Sequence, residues 1–385
     1  MGRPGKLENA FTIADLRALA GRRLPKAIFD YIDGAAETET AMRRNTADFA
    51  ALTFMPRVLV DVSRRDSSVP ILGEAAALPL VIAPTGMAAL AWPNADLALV
   101  RAASAAGVPF TVSTMASTSI EDVRNAAPQA RLWFQLYVVK DRAAVRSLIA
   151  RAAANGCEAL VLTVDVPVGG KRLRDLNNGV AVPVRPTPGL AWDILRRPHF
   201  CAQVLRHGFP RLRHLALDGK ESHAGTASGR LDAALNWTDV GWLRDQWPRR
   251  LVLKGVLRPE DAVRAVQSGF DAIVLSNHGG RQLDYAPSGL SMLSAVRSAI
   301  GARAEILVDG GVRRGGDIAK ALALGATAVM VGRATLYGVA AGGEQGAARA
   351  LEILASELDR CLALLGCPGA RDLDAGFLRG AFGAG

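Results

Sequence analysis

Ala272-Ile273-Val274-Leu275-Ser276-Asn277-His278-Gly279-Gly280-Arg281-Gln282-Leu283-Asp284 is the stretch from which the architecture can be read. Its first four residues form a short unbroken apolar run, as expected of a strand buried on both faces of a parallel sheet. The run then breaks into a polar, glycine-containing loop. In an α/β barrel, the loops at the carboxyl ends of the strands carry the chemistry. His278 is a base by residue type and Arg281, three positions on, is a clamp for a carboxylate. The adjoining glycines let the backbone come close to a ligand. Of five histidines (199, 207, 214, 223 and 278), only His278 follows a strand-like run.

The same unit recurs outward from this stretch. From residue 79 onward, apolar runs alternate with alanine-rich helical segments: Leu80–Ala83, Pro109–Val112, Leu132–Leu136, Ala159–Thr163, Leu251–Leu253, Ala272–Leu275, Glu305–Val308 and Ala328–Val331. Alternating strands and helices imply a parallel sheet with right-handed crossovers, and eight units imply a closed (β/α)8 TIM barrel. A doubly wound open sheet fits less well, because no glycine-rich dinucleotide turn follows the first run.

The ends of these runs share a chemistry. They offer Thr85 and Gly86, Ser113, Gln135 and Tyr137, Thr163 and Asp165, Lys254, Ser276 with His278, Asp309-Gly310-Gly311-Val312-Arg313, and Gly332-Arg333. In a barrel these side chains converge on one mouth. The last two ends combine glycine N–H groups with guanidinium charge near helix N-termini, which predicts a phosphate site. Asp309 is then placed to accept hydrogen bonds from sugar hydroxyls, and Lys254 to set positive charge against an electron-rich ring.

Before the barrel, Ala14–Leu19 after Thr12 and Lys26–Ile32 before Gly34 read as helices, and 52–73 as short extended pieces. The expected division is a helical cap over 1–75, a barrel over 76–370 with an insert at about 166–248, and a C-terminal tail over 371–385. The cysteines at 157, 201, 361 and 367 show neither metal-ligand spacing nor a disulfide framework, so no metal is expected and a reducing compartment is. The N-terminus lacks a signal-peptide core, and no uninterrupted apolar window is long enough to span a bilayer.

The net charge of +10 is not evenly spread. Residues 185–230 hold eight Lys or Arg against three acidic residues. Trp192, Leu195, Phe200, Val204, Leu205, Phe209, Leu212 and Leu215 are interleaved with the arginines, a pattern suited to an anionic membrane surface. An active-site lid or a subunit contact is the plainer reading. A nucleic-acid patch is set aside, because the aromatics lack the fold of a known reader.

Four motifs carry a resemblance: Ser276–Asp284, Asp309-Gly-Gly-Val-Arg-Arg-Gly315, Trp133-Phe-Gln-Leu-Tyr137 and Phe29-Asp-Tyr-Ile-Asp-Gly34. With them the chain resembles, from about residue 10 to 370, the family of FMN-dependent 2-hydroxy acid dehydrogenases and oxidases. The resemblance implies oxidation of an (S)-2-hydroxy acid to the 2-keto acid with FMN as cofactor. It implies His278 as the base, Asp165 as its orienting carboxylate, and Tyr137 near the substrate hydroxyl. Arg281 and Arg172, with Tyr31, are implied as the grip on the substrate carboxylate. Thr85, Gly86, Ser113, Gln135, Thr163, Lys254 and Ser276 are implied at the flavin and ribityl chain; Asp309, Gly311, Arg313, Gly332 and Arg333 at the ribose and phosphate.

Gly86 and the stretches 61–65, 92–99 and 332–338 look most like the mandelate-oxidising members, and Met115 stands where the glycolate-oxidising members carry a tryptophan, which alters the side-chain pocket, so an aromatic substrate is expected, with lactate second. Leu195–Leu215 resembles the membrane-binding segment of that branch. This implies a quinone-type acceptor and a peripheral enzyme on the cytoplasmic side of the inner membrane, assembled as a homotetramer. The alternatives are a soluble cytoplasmic oxidase that makes peroxide, or a non-catalytic FMN- or phosphate-binding barrel.

Overall fold

The computed structural model describes residues 6–179, 188–214 and 231–380. Leu215, His223 and part of the basic segment lie outside the described residues, as do the two chain ends. Eight parallel strands close into a barrel: β1 Leu80–Ile82, β2 Phe110–Ser113, β3 Leu132–Leu136, β4 Ala159–Thr163, β5 Arg250–Val256, β6 Ala272–Leu275, β7 Glu305–Asp309 and β8 Ala328–Val331. Each pairs with the next, and β8 pairs back to β1 through Val329–Leu80 and its successors. The chain is therefore the expected TIM barrel.

Three helices precede the barrel: α1 Ile13–Arg23, α2 Lys26–Asp33 and α3 Thr40–Ala51. Thr12 and Asp15 form a reciprocal capping box that starts α1. The N-terminus of α3 is capped from far away. Asp284 Oδ1 accepts from the Ala41 N–H at 2.7 Å, and Oδ2 accepts from the Thr38 hydroxyl at 2.7 Å. Burial works against the Asp284 carboxylate, but these donors and other backbone N–H groups hold its pKa down at about 2.

A hairpin, Val69–Ile71 with Glu74–Ala76, lies under the amino ends of the strands. Its Leu72 N–H donates to Glu305 at 2.9 Å, and its Ile71 carbonyl accepts from Arg131 at 2.9 Å. The expected tail is not free: Leu378–Arg379 pairs antiparallel with Thr53–Phe54. One run was underread. β5 extends to Val256 rather than ending at Leu253, because Lys254 is buried inside the barrel by an ion pair.

Between β4 and β5 the described residues include helices Leu173–Asn177, Pro188–Leu195, Pro198–His207 and Thr238–Gln246. The expected surface anchors divide. Trp192, Leu195, Leu205 and Phe209 are exposed, whereas Phe200 and Leu212 are buried against the core, so those two pack the insert onto the barrel.

Candidate active site

At the carboxyl ends of the strands lies a cavity of about 540 Å³, ample for a cofactor head and a small acid. All the residues singled out above line it except Gln135, Asp165 and Ser276, which stand directly behind its wall.

His278 occupies the left-handed region at φ 58° and starts a tight turn that aims its ring into the cavity. Its backbone N–H donates to Ser276 Oγ at 3.0 Å. Nδ1 lies 2.9 Å from Asp165 Oδ1, and Nε2 lies 3.4 Å from the Tyr137 hydroxyl. An ionised carboxylate only accepts, so Nδ1 carries the hydrogen and the Nε2 lone pair faces the cavity. Burial raises the Asp165 carboxyl, but His278 and Lys254 outweigh it and leave its pKa below the usual range. Tyr137 is pushed far up, first by burial and then by Asp165, so it remains a neutral phenol.

Opposite the imidazole, Arg172 and Arg281 flank the Tyr31 ring at 5.9 and 5.1 Å from its centroid. Arg281 donates to the backbone carbonyls of Tyr31 at 2.7 Å and Gly34 at 2.9 Å, so the cap fixes the guanidinium. Burial and the like charge of Arg172 push the Arg281 pKa below the ordinary arginine value. Two guanidiniums lining one space, that of Arg281 desolvated, make a receptor for a carboxylate.

On the cavity floor, Lys254 Nζ donates to Ser276 Oγ and pairs with Asp309 Oδ2, each at 2.7 Å. Burial opposes the ammonium, but Asp309 and Asp165 outweigh it and hold its pKa above the usual lysine value. Among the described residues, Gln135 Nε2, Thr163 Oγ1 and Asp309 Oδ1 are buried with no partner in the protein. Unpaired buried polar atoms are costly, and around one cavity they indicate a ligand that satisfies them. They suit the amide, hydroxyl and carbonyl edges of a flavin and its ribityl chain. Above them, Gly332 opens the helix that starts at Arg333 and runs to a break at Gly342–Gly343, and the N–H groups of its first turn suit a phosphate.

Two features of the phosphate end add structural roles to residues that line the cavity as expected. The Arg333 guanidinium is occupied by backbone carbonyls of Ile32 at 3.1 Å, Gly279 at 2.8 Å and Gly34 at 2.7 Å, so it joins cap to loop. Gly310 and Gly311 have φ of 85° and 93°, and a Cβ on Gly311 would lie 2.1 Å from the Asn45 carbonyl oxygen. The packing of α3 thus demands glycine there, independently of any ligand.

Other contributors were given no role from the sequence. Asn45 and Asn277 exchange amide hydrogen bonds at 2.8 and 2.7 Å, locking α3 to the His278 loop. Asp175 lines the cavity with a carboxyl oxygen 3.5 Å from Arg172. Asp33 is buried beneath the cap and ties Arg174 and Tyr337 together, at 3.0 and 2.7 Å. Asp33 and Asn277 fall inside quoted motifs and Asp175 stands only three residues from Arg172, but the partners of Asn45, Asn277 and Asp33 are remote in the chain, so no local pattern reveals what they do.

A barrel that sets an imidazole–carboxylate pair against two guanidiniums, over a lysine-floored cradle, defines a class of flavin enzymes acting on small organic acids. Comparison with known proteins agrees. The FMN-dependent dehydrogenase profile matches residues 20–380. The chain is 43% identical to (S)-mandelate dehydrogenase of Pseudomonas putida over 97% of its length and 94% of the relative's. It is 42% identical to L-lactate dehydrogenase of Caulobacter vibrioides over 91% of its length and 93% of the relative's. The crystal structure of the monotopic membrane protein (S)-mandelate dehydrogenase superposes with a TM-score of 0.93 at 42% identity, covering 97% of this chain and 100% of that one. A mandelate oxidase structure gives 0.84 at 37% identity over 98% and 100%. The chain belongs to the FMN-dependent dehydrogenase family and oxidises (S)-2-hydroxy acids with FMN as cofactor.

Proposed function

We propose that the substrate is an aromatic (S)-2-hydroxy acid, mandelate or a close relative, and that the electrons pass to a quinone at a membrane surface. The observation that carries the chemistry is the facing arrangement of His278–Asp165 and Arg172–Arg281 in one cavity. Arg172 and Arg281 hold the substrate carboxylate, and the Tyr31 ring lies against both guanidiniums. This fixes the α-carbon and its hydroxyl beside Nε2 of His278 and removes much of the entropic barrier. His278 takes a proton there, and Asp165 stabilises the resulting imidazolium. Tyr137 hydrogen-bonds the reacting hydroxyl. Lys254 supplies fixed positive charge where negative charge gathers on the cavity floor. FMN, when bound, accepts the two electrons.

Several observations support the aromatic reading. Met115, Val166, Leu176 and Leu231 give the cavity an apolar side. A Cβ on Gly86 would lie 2.8 Å from that of Met115, so glycine at 86 lets Met115 crowd the same wall. The membrane reading rests on the exposed Trp192, Leu195, Leu205 and Phe209 beside Arg196, Arg206 and Arg211, and on the relative described as monotopic. No helix among the described residues is long and apolar enough to cross a membrane, so attachment would be from one side.

Anaerobic bleaching of the yellow protein by a panel of mandelate, lactate, glycolate and longer 2-hydroxy acids tests the substrate. Faster bleaching by lactate than by mandelate would overturn the aromatic choice. His278→Gln should retain FMN yet lose at least about 10²-fold in turnover. Activity in salt-washed membranes tests the location: release to the soluble fraction with rapid peroxide formation would favour the oxidase.

A further inference from the structure

A second cavity, about 360 Å³, lies between the barrel mouth and the insert helix Pro198–His207. Neighbouring residues of the same two loops line both cavities and form the wall between them. Met87 and Met115 line the flavin-side cavity, while Leu90, Ser117 and Thr118 line the second. Across this wall Met87 N–H donates to the Met115 carbonyl at 2.9 Å, and the Ser117 hydroxyl lies 4.0 Å from the Met87 sulfur.

The second cavity is amphipathic. Phe200, Val204 and Leu90 make its apolar side, and Gln203, His207 and Thr118 offer polar groups. At its lip Phe209 is exposed just past the helix end, and Leu205, 87% exposed, lies on the helix between the lining residues Val204 and His207. An apolar ring bearing two carbonyls, arriving from a lipid phase, matches a pocket with exposed Phe209 at its lip, an apolar side within, and hydrogen-bond donors that include Gln203, Arg211 and Arg213. A water-borne acceptor would need no such lip.

We infer that this cavity seats the headgroup of a lipid-soluble quinone, so that electrons cross the Met87–Met115 wall from the flavin-side cavity; this rests on the quinone reading above. The balance is simple. The 2-hydroxy acid loses two electrons and two protons as its C–H and O–H bonds break and the keto C=O forms. The quinone gains two electrons and two protons as its carbonyls become hydroxyls. The exposed His207 ring, part of the cavity lining, connects the incoming headgroup to protons from solvent.

The test uses the holoenzyme with ubiquinone-1 and, separately, ferricyanide. Val204→Trp fills the cavity, and Gln203→Leu removes a donor without adding bulk, which covers the case in which the larger residue impairs folding. Both variants should raise KM for ubiquinone-1 by roughly tenfold, a binding loss of about 1.4 kcal/mol. Anaerobic bleaching by mandelate and the ferricyanide rate should stay within about twofold of the parent. A photoreactive azidoquinone should label residues 87–94 or 198–213 in the parent and lose that label in Val204→Trp. Unchanged ubiquinone-1 kinetics in both variants, labelling elsewhere, or a phospholipid retained in the cavity would overturn the site while leaving the acceptor reading intact. A parent that bleaches but never reduces ubiquinone-1 would overturn both.

Discussion

Replacing Asp165 by Asn isolates the charge behind the His278 imidazole. The carboxylate sits 2.9 Å from Nδ1 and is 12% exposed at the side chain, so solvent screens it little. Asparagine keeps the shape and an acceptor oxygen but carries no charge. The cost falls on the step in which His278 becomes an imidazolium. Hydrogen bonds to charged groups contribute about 1.5–3 kcal/mol, and leaving one member of a buried pair without its partner costs about 3–5. Because the acceptor survives, the lower overlap applies, about 3 kcal/mol, or about 10²-fold in rate. The assay is stopped-flow bleaching at saturating mandelate without oxygen, with flavin content checked by visible absorbance. Bleaching should slow by about 10²-fold while KM stays nearly constant, since Arg172 and Arg281 are untouched. A rate within about threefold of the parent, at full flavin content, would mean that no charge accumulates on His278 in the slow step, and the proton-transfer role would fall.

Asp175→Asn should strengthen anion binding. Asp175 partly neutralises Arg172 and Arg281, and burial raises its own pKa despite both arginines. Removing its charge should lower the Kd of an unreactive 2-keto acid severalfold and lower Tm, since it leaves the like charges of Arg172 and Arg281 uncompensated at an intermediate dielectric. A weakened Kd in titrations of the flavin spectrum would refute this. His214 is buried edge-on against Phe134 with neither ring nitrogen bonded among the described residues, and burial lowers its pKa to about 4. Between that value and the ordinary 6.5 the unfolded chain binds a proton that the folded chain refuses, so His214 makes stability fall as pH drops through this window, by about 3 kcal/mol in all. His214→Phe should flatten Tm across pH 4–6.5; an unchanged slope would place the effect elsewhere.

Much of this was legible from local pattern. The apolar runs of β3, β4, β6 and β8 coincide with the strands, because strands buried on both faces leave an unbroken signature. β5 was cut short because a lysine inside a barrel looks like a strand end until its partner Asp309 is seen. The cavity residues were legible because strand ends in a closed barrel must converge. What the pattern could not reveal was which groups hold the site together. Asp284 caps a helix 243 residues away, and Asn277 pairs with Asn45 across 232. Arg333 reads as a phosphate ligand by charge and position, but nothing local shows that its guanidinium also holds backbone carbonyls of the cap. Phe200 and Leu212 counted as membrane anchors by composition, and only packing separates them from their exposed neighbours.

The clasp made by Asn45, Asn277, Asp284 and the Gly34 carbonyl has a bearing on biosynthesis. The first fifty residues leave the ribosome long before the loop they must grip has been made. Until translation passes Asp284 the nascent cap has no surface to dock on, and Arg281 has no carbonyls to orient it. Long-range closures of this kind fold slowly. Cofactor capture should therefore be a late, post-translational event, and shortage of flavin during expression should leave the amino-terminal helices the segment most open to proteases.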